Sequence, residues 1–239
     1  MKLVTPQDRL AVALDVPTLE GARMLVRALT GRVGVFKVGL EQFVAHGPAA
    51  VEVAAAGGAG VFLDLKVHDI PRTAAAAVRS AAALGARLVT LHALGGPAMI
   101  AAAREAAESV GASRPWLLAV TVLTSHDAAE LDRIGLPPRP EQEVLRLARM
   151  AIAAGADGLV ASALEARALR EALGPEPLLV TPGIRPAGAD AGDQARVATA
   201  GDAIRAGASI LVVGRPIVKA ADPAAAADRL VEEIAAARS

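Results

Sequence analysis

The sequence predicts a single-domain (β/α)8 barrel of the TIM type over residues 1–239, an α/β fold, and three observations predict it. Eight short apolar runs alternate with longer segments rich in Ala, Leu and Arg, and strand-helix alternation implies parallel strands joined by crossover helices. Several of the longer segments stop at a Gly-Ala step before the next run, at Gly85-Ala86, Gly155-Ala156 and Gly207-Ala208, where glycine takes the left-handed conformation that ends a helix. Eight such units in about 250 residues is the size of this barrel. The alternative, an open doubly wound sheet, usually has fewer strands and a glycine fingerprint after the first. Here the first run leads into Asp15-Val16-Pro17-Thr18, with no G-x-G-x-x-G. No linker or shift in composition marks a second domain.

Taken in order, the strands are expected at Leu10 to Leu14, Val33 to Lys37, Gly60 to Leu65, Arg87 to His92, Trp116 to Val122, Gly158 to Ala161, Leu178 to Thr181 and Ser209 to Val213. Their near-continuous apolar character fits a sheet covered on both faces. Helices are expected between and after them, at Leu19 to Leu29, Pro48 to Ala56, Arg72 to Leu84, Gly96 to Val110, Glu141 to Ala154, Leu164 to Leu173, Ala195 to Ala206 and Pro223 to Ala237.

Composition narrows the function. The net charge is zero, which argues against nucleic acid or an anionic membrane as the main partner. Cysteine is absent, which rules out disulfides and thiolate metal sites. The chain is 54% hydrophobic, but charged residues, Gly or Pro interrupt every apolar run before it could span a bilayer. Asp8 and Arg9 interrupt the start, unlike a signal peptide. A soluble, cytoplasmic protein is expected.

The chemistry concentrates in Asp64-Leu65-Lys66-Val67-His68-Asp69-Ile70-Pro71. Alternate strand residues share a face, so Asp64 and Lys66 are expected to pair at a strand tip, with Asp69 beyond it. Charges at the end of an apolar strand are costly to bury unless they pair with each other or with a ligand. Of 25 Lys plus Arg only Lys2, Lys37, Lys66 and Lys219 are lysine. A lysine kept in so arginine-biased a chain points to a need for an ammonium group, compact and able to release a proton.

In a barrel the active site lies at the C-terminal strand ends. There the sequence places Asp15, Lys37, Asp64, Lys66, His92, Thr124-Ser125, Pro182-Gly183-Ile184-Arg185 and Gly214-Arg215. His92 reads more readily as a satisfied histidine at the core's edge than as a catalyst. Gly183 and Gly214 permit close backbone approach, and Arg185 and Arg215 supply fork donors in the loops where barrels commonly hold phosphate. A phosphorylated small molecule is implied, with the small-residue loop between Arg185 and Gln194 as a lid. Metal binding is disfavoured, because the four histidines lack ligand spacing and lysines compete for the carboxylates. Acid-base and electrostatic chemistry without a cofactor is expected.

Asp64 to Thr73 resembles the signature of the orotidine 5'-phosphate decarboxylase family. The resemblance extends through Ala13-Leu14-Asp15, Phe36-Lys37-Val38-Gly39, Leu123-Thr124-Ser125, Pro182 to Pro186, Gly192-Asp193-Gln194 and Val213 to Ile217. Related barrels, the hexulose-phosphate synthases and ketogulonate-phosphate decarboxylases, share D-x-K-x-x-D but use Mg2+, and His-Asp-Ile-Pro with the Asp-Gln pair favours the orotidylate enzyme. Two positions depart from the pattern, Arg72 for asparagine and Ala200 for proline. The resemblance implies a cofactor-free decarboxylase making UMP. Lys66 would protonate C6 within a network of Lys37, Asp64, Lys66 and Asp69, the last from the neighbouring subunit of a homodimer. It also implies substrate contacts from Asp15, Lys37, Asp64, Ile70, Thr73, Thr124, Ser125, Pro182, Arg185, Gln194, Gly214 and Arg215. The competing readings are a Mg2+-dependent aldolase or synthase on a sugar phosphate, and a non-catalytic phosphate-binding barrel.

Overall fold

In the computed structural model, which describes residues 3–185 and 198–237, eight parallel strands pair in sequence order and close into a barrel. The strands are β1 (Leu10–Ala13), β2 (Val35–Gly39), β3 (Gly60–Val67), β4 (Leu88–His92), β5 (Trp116–Val120), β6 (Gly158–Val160), β7 (Leu178–Thr181) and β8 (Ile210–Val213). Closure is made by β1 on β8, with Leu10 opposite Leu211 and Val12 opposite Val213. The helices are α1 (Leu19–Leu29), α2 (Leu40–His46), α3 (Pro48–Ala55), α4 (Pro71–Ala83), α5 (Gly96–Glu108), α6 (Ala128–Arg133), α7 (Pro140–Ala153), α8 (Ala163–Leu173), α9 (Ala200–Arg205), α10 (Arg215–Val218) and α11 (Pro223–Ala236).

The period of the strands sorts their side chains into two cores. Ala11, Ala13, Val35, Phe62, Leu88, Leu118, Val180 and Val212 face inward and fill the barrel. Leu10, Val12, Phe36, Leu63, Val89 and their helix partners form the larger core outside it. Alanine supplies much of the helix side, as Ala74, Ala75 and Ala81 in α4 and Ala103, Ala106 and Ala107 in α5. Continuing the inward faces by two residues from Val35, Phe62 and Leu88 gives Lys37, Asp64 and Thr90, so polar side chains lie directly above the apolar filling.

The Gly-Ala steps stop their helices as expected. Gly85, Gly155 and Gly207 have φ of 80, 104 and 105°. The alanine after each donates back to a carbonyl five residues earlier, Ala86 to Ala81 at 3.1 Å, Ala156 to Ala151 at 3.0 Å and Ala208 to Ala203 at 3.0 Å, the Schellman closure. Helix starts are capped by side chains: Thr18 accepts from the Gly21 amide, Asp222 from Ala225, and Ser162 with Glu165 completes a capping box.

Several boundaries differ from expectation. β2 begins at Val35 and runs to Gly39, so Lys37 lies within the strand instead of ending it. β3 runs on to Val67, while β5 stops at Val120, two residues early. Helix α9 begins at Ala200, capped by Thr199. The expected start at Ala195 lies outside the described residues, as do the lid loop and Gln194. Helices α2, α6 and α10, of only 7, 6 and 4 residues, were not anticipated. Among the described residues no helix is long and apolar enough to cross a membrane.

Candidate active site

Above the inner filling, at the C-terminal ends of the strands, opens a cavity of about 350 Å³. Its charged floor is a chain of alternating sign. Lys37, buried in β2, places Nζ 3.4 Å from Asp15 Oδ1 and 3.6 Å from Asp64 Oδ2. On the other side of Asp64, Oδ1 accepts from Lys66 Nζ at 2.9 Å and from the Thr90 hydroxyl at 3.0 Å. Burial of Asp64 by itself raises its pKa. The lysine charges at Lys37 and Lys66, with the Lys66 and Thr90 hydrogen bonds, outweigh it and hold the carboxyl below its ordinary 3.8.

Two backbone features make room for this chain. A Cβ on Gly39 would fall 2.9 Å from Lys37 Nζ and 3.2 Å from Asp15 Oδ1, so the Asp15–Lys37 contact requires glycine there. Lys66 has φ of 51°, the one described non-glycine residue with a positive value. That conformation costs an L-residue roughly 1–2 kcal/mol. Asp64 and Lys66 do meet as expected, but regular strand period is not the reason. The β3–β4 register shifts between Leu63 and Val67, and Lys66 lies in that irregularity.

Beyond the last two strands Pro182, Gly183 and Arg185 follow β7, and Gly214, Arg215 and Lys219 follow β8; all six line the cavity. Gly183 has φ of 79°, a glycine conformation. Gly214 has φ of −110°, and a Cβ there would meet only Ala13 at 3.7 Å and Asp15 Oδ2 at 3.8 Å. Both are ordinary van der Waals distances, so packing among the described residues does not itself exclude a Cβ at 214. Thr124 lines the cavity beside Leu123 and Val122, and with Val160 these give one side an apolar character.

Other expected residues stand elsewhere. Asp69, Ile70 and Thr73 are exposed around the start of α4 and do not line this cavity, and Ser125 is exposed as well. Asp69 turns its carboxylate to the Ile70 amide at 2.7 Å instead of to Lys66. His92 is half-buried, stacked on His68 with centroids 5.3 Å apart. Burial, then the neighbouring His68, Lys66 and His126, lower its pKa to about 4.

Residues 8–230 match the sequence model of the orotidine 5'-phosphate decarboxylase / HUMPS family. The chain belongs to that family. It is 58% identical over 93% of its length to a protein named orotidine 5'-phosphate decarboxylase from Anaeromyxobacter sp. (strain K), covering 96% of that relative. A relative of the same name from Moorella thermoacetica is 51% identical, with 95% of this chain and 92% of the relative covered. The crystal structure of orotidine 5'-phosphate decarboxylase from Lactobacillus acidophilus superposes with a TM-score of 0.82 at 39% identity, over 94% of this chain and 98% of the other.

Two residues of the site escaped the sequence reading, Thr90 behind Asp64 and Lys219 in the cavity lining. Thr90 looked like an ordinary β-former in an apolar strand. Its position two residues beyond Leu88, on the inward face, was the available signal. Lys219 was visible as one of only four lysines, and the argument that singled out Lys37 and Lys66 applies to it equally.

Proposed function

We propose that this family member decarboxylates orotidine 5'-phosphate to UMP and CO2 without a cofactor, in the last step of de novo pyrimidine nucleotide synthesis in the cytoplasm. The observation that carries this reading is the Asp15–Lys37–Asp64–Lys66 chain from β1, β2 and β3 in a cavity where the ends of β7 and β8 hold Arg185 and Arg215. A ligand with one reacting end and one phosphate end matches that division. Among the described residues five cations and two carboxylates line the cavity, in a chain with no net charge. The surplus complements a substrate that carries both a carboxylate and a phosphate.

In the proposed reaction the C6–CO2 bond breaks and its electron pair remains on C6. The Lys66 ammonium stabilises that pair and then transfers a proton to it, leaving a neutral amine that solvent reprotonates. Asp64 faces the departing carboxylate and keeps Lys66 cationic until the carbanion forms. A unit-charge pair at about 4 Å is worth roughly 4 kcal/mol at an effective dielectric near 20. Enzymes lower barriers by about 8–23 kcal/mol, so the floor alone is not enough. Phosphate binding energy, remote from C6, supplies the rest by assembling the closed site. In this reading Arg215, the Gly214 amide and Gln194 hold the phosphate, with Arg185 and Pro182 beside them. Asp15 and Lys37 hold the ribose, and Thr124 and Ser125 read the pyrimidine.

Asp69, Ile70 and Thr73 serve the cavity of a second copy in a homodimer. What supports this is their exposure at the outer end of β3 and their absence from their own chain's cavity. A Mg2+-dependent reaction is disfavoured by the chemistry of the donors, since Asp15 and Asp64 are both already bonded to lysine. The test is the absorbance loss of orotidine 5'-phosphate with purified protein, with and without EDTA. Turnover unaffected by EDTA is expected. No turnover, or turnover that EDTA abolishes, overturns the reading.

A further inference from the structure

We propose that Thr90 is a positioning residue for this decarboxylation, its hydroxyl fixing Asp64 and Lys66 in the geometry from which the proton is delivered. The inference rests on the reading of Lys66 as proton donor given above. Strands β3 and β4 are in register at Leu63 opposite Val89 and again at Val67 opposite Leu91. Asp64, Leu65 and Lys66 therefore stand against Thr90 alone. Such an excess bends the longer strand and interrupts its ladder of backbone bonds.

Thr90 repairs the interruption with its side chain. Its Oγ1 accepts from the Lys66 amide at 2.9 Å and donates to Asp64 Oδ1 at 3.0 Å. A hydroxyl carries one proton and two lone pairs, so both bonds form together, in this sense only. Lys66 Nζ donates to the same Oδ1 at 2.9 Å. The result is a closed ring from the lysine amide through Thr90 and Asp64 to the lysine ammonium, holding both ends of the proton donor. Thr90 is fully buried, so solvent does not stand in for the hydroxyl. The left-handed backbone of Lys66, which no local preference favours, is tied at its amide by this bond. Bulges beside active sites re-aim side chains. Here the re-aimed side chain is the proposed acid.

Thr90→Val keeps the shape and removes the hydroxyl, whereas Thr90→Ser keeps the hydroxyl and removes the methyl. With orotidine 5'-phosphate, Thr90→Val is expected to lower kcat about tenfold or more while KM moves less than about threefold, and Thr90→Ser to stay within about threefold of wild type. The charged groups facing Asp64 are Lys37 from β2 and Lys66 from β3, with His68 and His92 flanking Lys66. With those unchanged, loss of the Thr90 donor raises the titration midpoint of the Asp64 carboxyl, read by carbon-13 NMR of the free protein. If Thr90→Val does not fold by circular dichroism, Thr90→Ala is read in the same way. Wild-type-like kcat in the valine variant, a serine variant as slow as valine, or an unmoved Asp64 midpoint each overturns the proposal. Wild-type protein without turnover would sink the functional reading instead, and the NMR comparison, which needs no turnover, would still decide whether the hydroxyl sets Asp64.

Discussion

The two ends of the barrel each hold a buried aspartate between two cations, and they hold it differently. At the N-terminal ends of the strands Asp157 meets Arg104 at 2.7 Å and Arg114 at 2.8 and 2.9 Å, and accepts from the Leu117 amide at 2.8 Å. At the C-terminal ends Asp64 is flanked by lysines, one at 2.9 Å and one at 3.6 Å, and one of them has a left-handed backbone. Arginine's planar fork suits a contact made once and kept, while lysine's mobile ammonium suits one that must change. The lower cluster is a finished structural joint. The upper one is arranged for a ligand to complete.

Lys66 offers the sharpest way to break this contrast. Lys66→Ala is expected to lower turnover by roughly 10²–10⁴-fold or more, the range attributed to a positioned proton donor, while the fold stays intact, since the barrel core does not depend on this partly exposed ammonium. Lys66→Arg should fail too, since guanidinium does not give up its proton. An arginine variant keeping more than about a tenth of wild-type turnover would remove the distinction between the two ends.

The shared site is the next test. Lys66→Ala and Asp69→Ala proteins are each expected to be nearly inactive. In a two-fold dimer a mixed pair carries one site with both lesions and one with neither, so random reassortment restores roughly a quarter of wild-type sites. Activity that stays flat after subunit exchange is confirmed by tagged co-purification would assign Asp69 to its own chain.

At the lower end the effect should fall on stability. Asp157→Ala leaves two arginines without their shared partner, and breaking a buried pair in this way costs about 3–5 kcal/mol, read by urea denaturation, with kcat unchanged at low temperature. Burial raises the Asp157 pKa, but the Arg114 and Leu117 hydrogen bonds and the arginine charges bring it below 3.8. Its contribution is therefore present above the unfolded value and lost as pH falls through the folded one. The wild-type advantage over Asp157→Ala should shrink below pH 3.8; an advantage constant to lower pH contradicts the joint. A smaller effect is expected from Arg215→Ala. It should lower kcat/KM for the nucleotide by about 10–150-fold, the worth of a charged hydrogen bond, and leave orotidine, which lacks the phosphate, nearly unaffected. Equal loss on both would move the phosphate elsewhere.

The lower end was barely legible in the sequence and the upper end largely so, for physical reasons. Lys37 and Asp64 were readable because each directly follows an apolar run, Val33 to Phe36 and Val61 to Leu63. The eight strands were readable because buried parallel strands are apolar throughout, and the Gly-Ala steps because a Schellman turn favours glycine at its left-handed position. Asp157, Arg104 and Arg114 are brought together by tertiary structure from three separate elements, and no spacing announces that. Lys66 was found for a partly wrong reason, since strand parity does not survive the register shift opposite Thr90. Helices α2, α6 and α10 were too short to show a 3.6-residue period.

One contact at the lower end bears on how the protein is made. Arg9 donates to the carbonyl of Ser209 at 3.3 Å, across 200 residues of chain, beside the seam where β1 pairs with β8. Ribosomes at about 5–20 residues per second need roughly 10–40 s to cover that distance. Throughout that interval one edge of β1 has no strand to pair with, and an open edge is a template for aggregation. Nascent chains stalled before Ile210 should thus be cleaved by protease near β1, where released full-length chains resist. The last strand to be translated is the one that shelters the first.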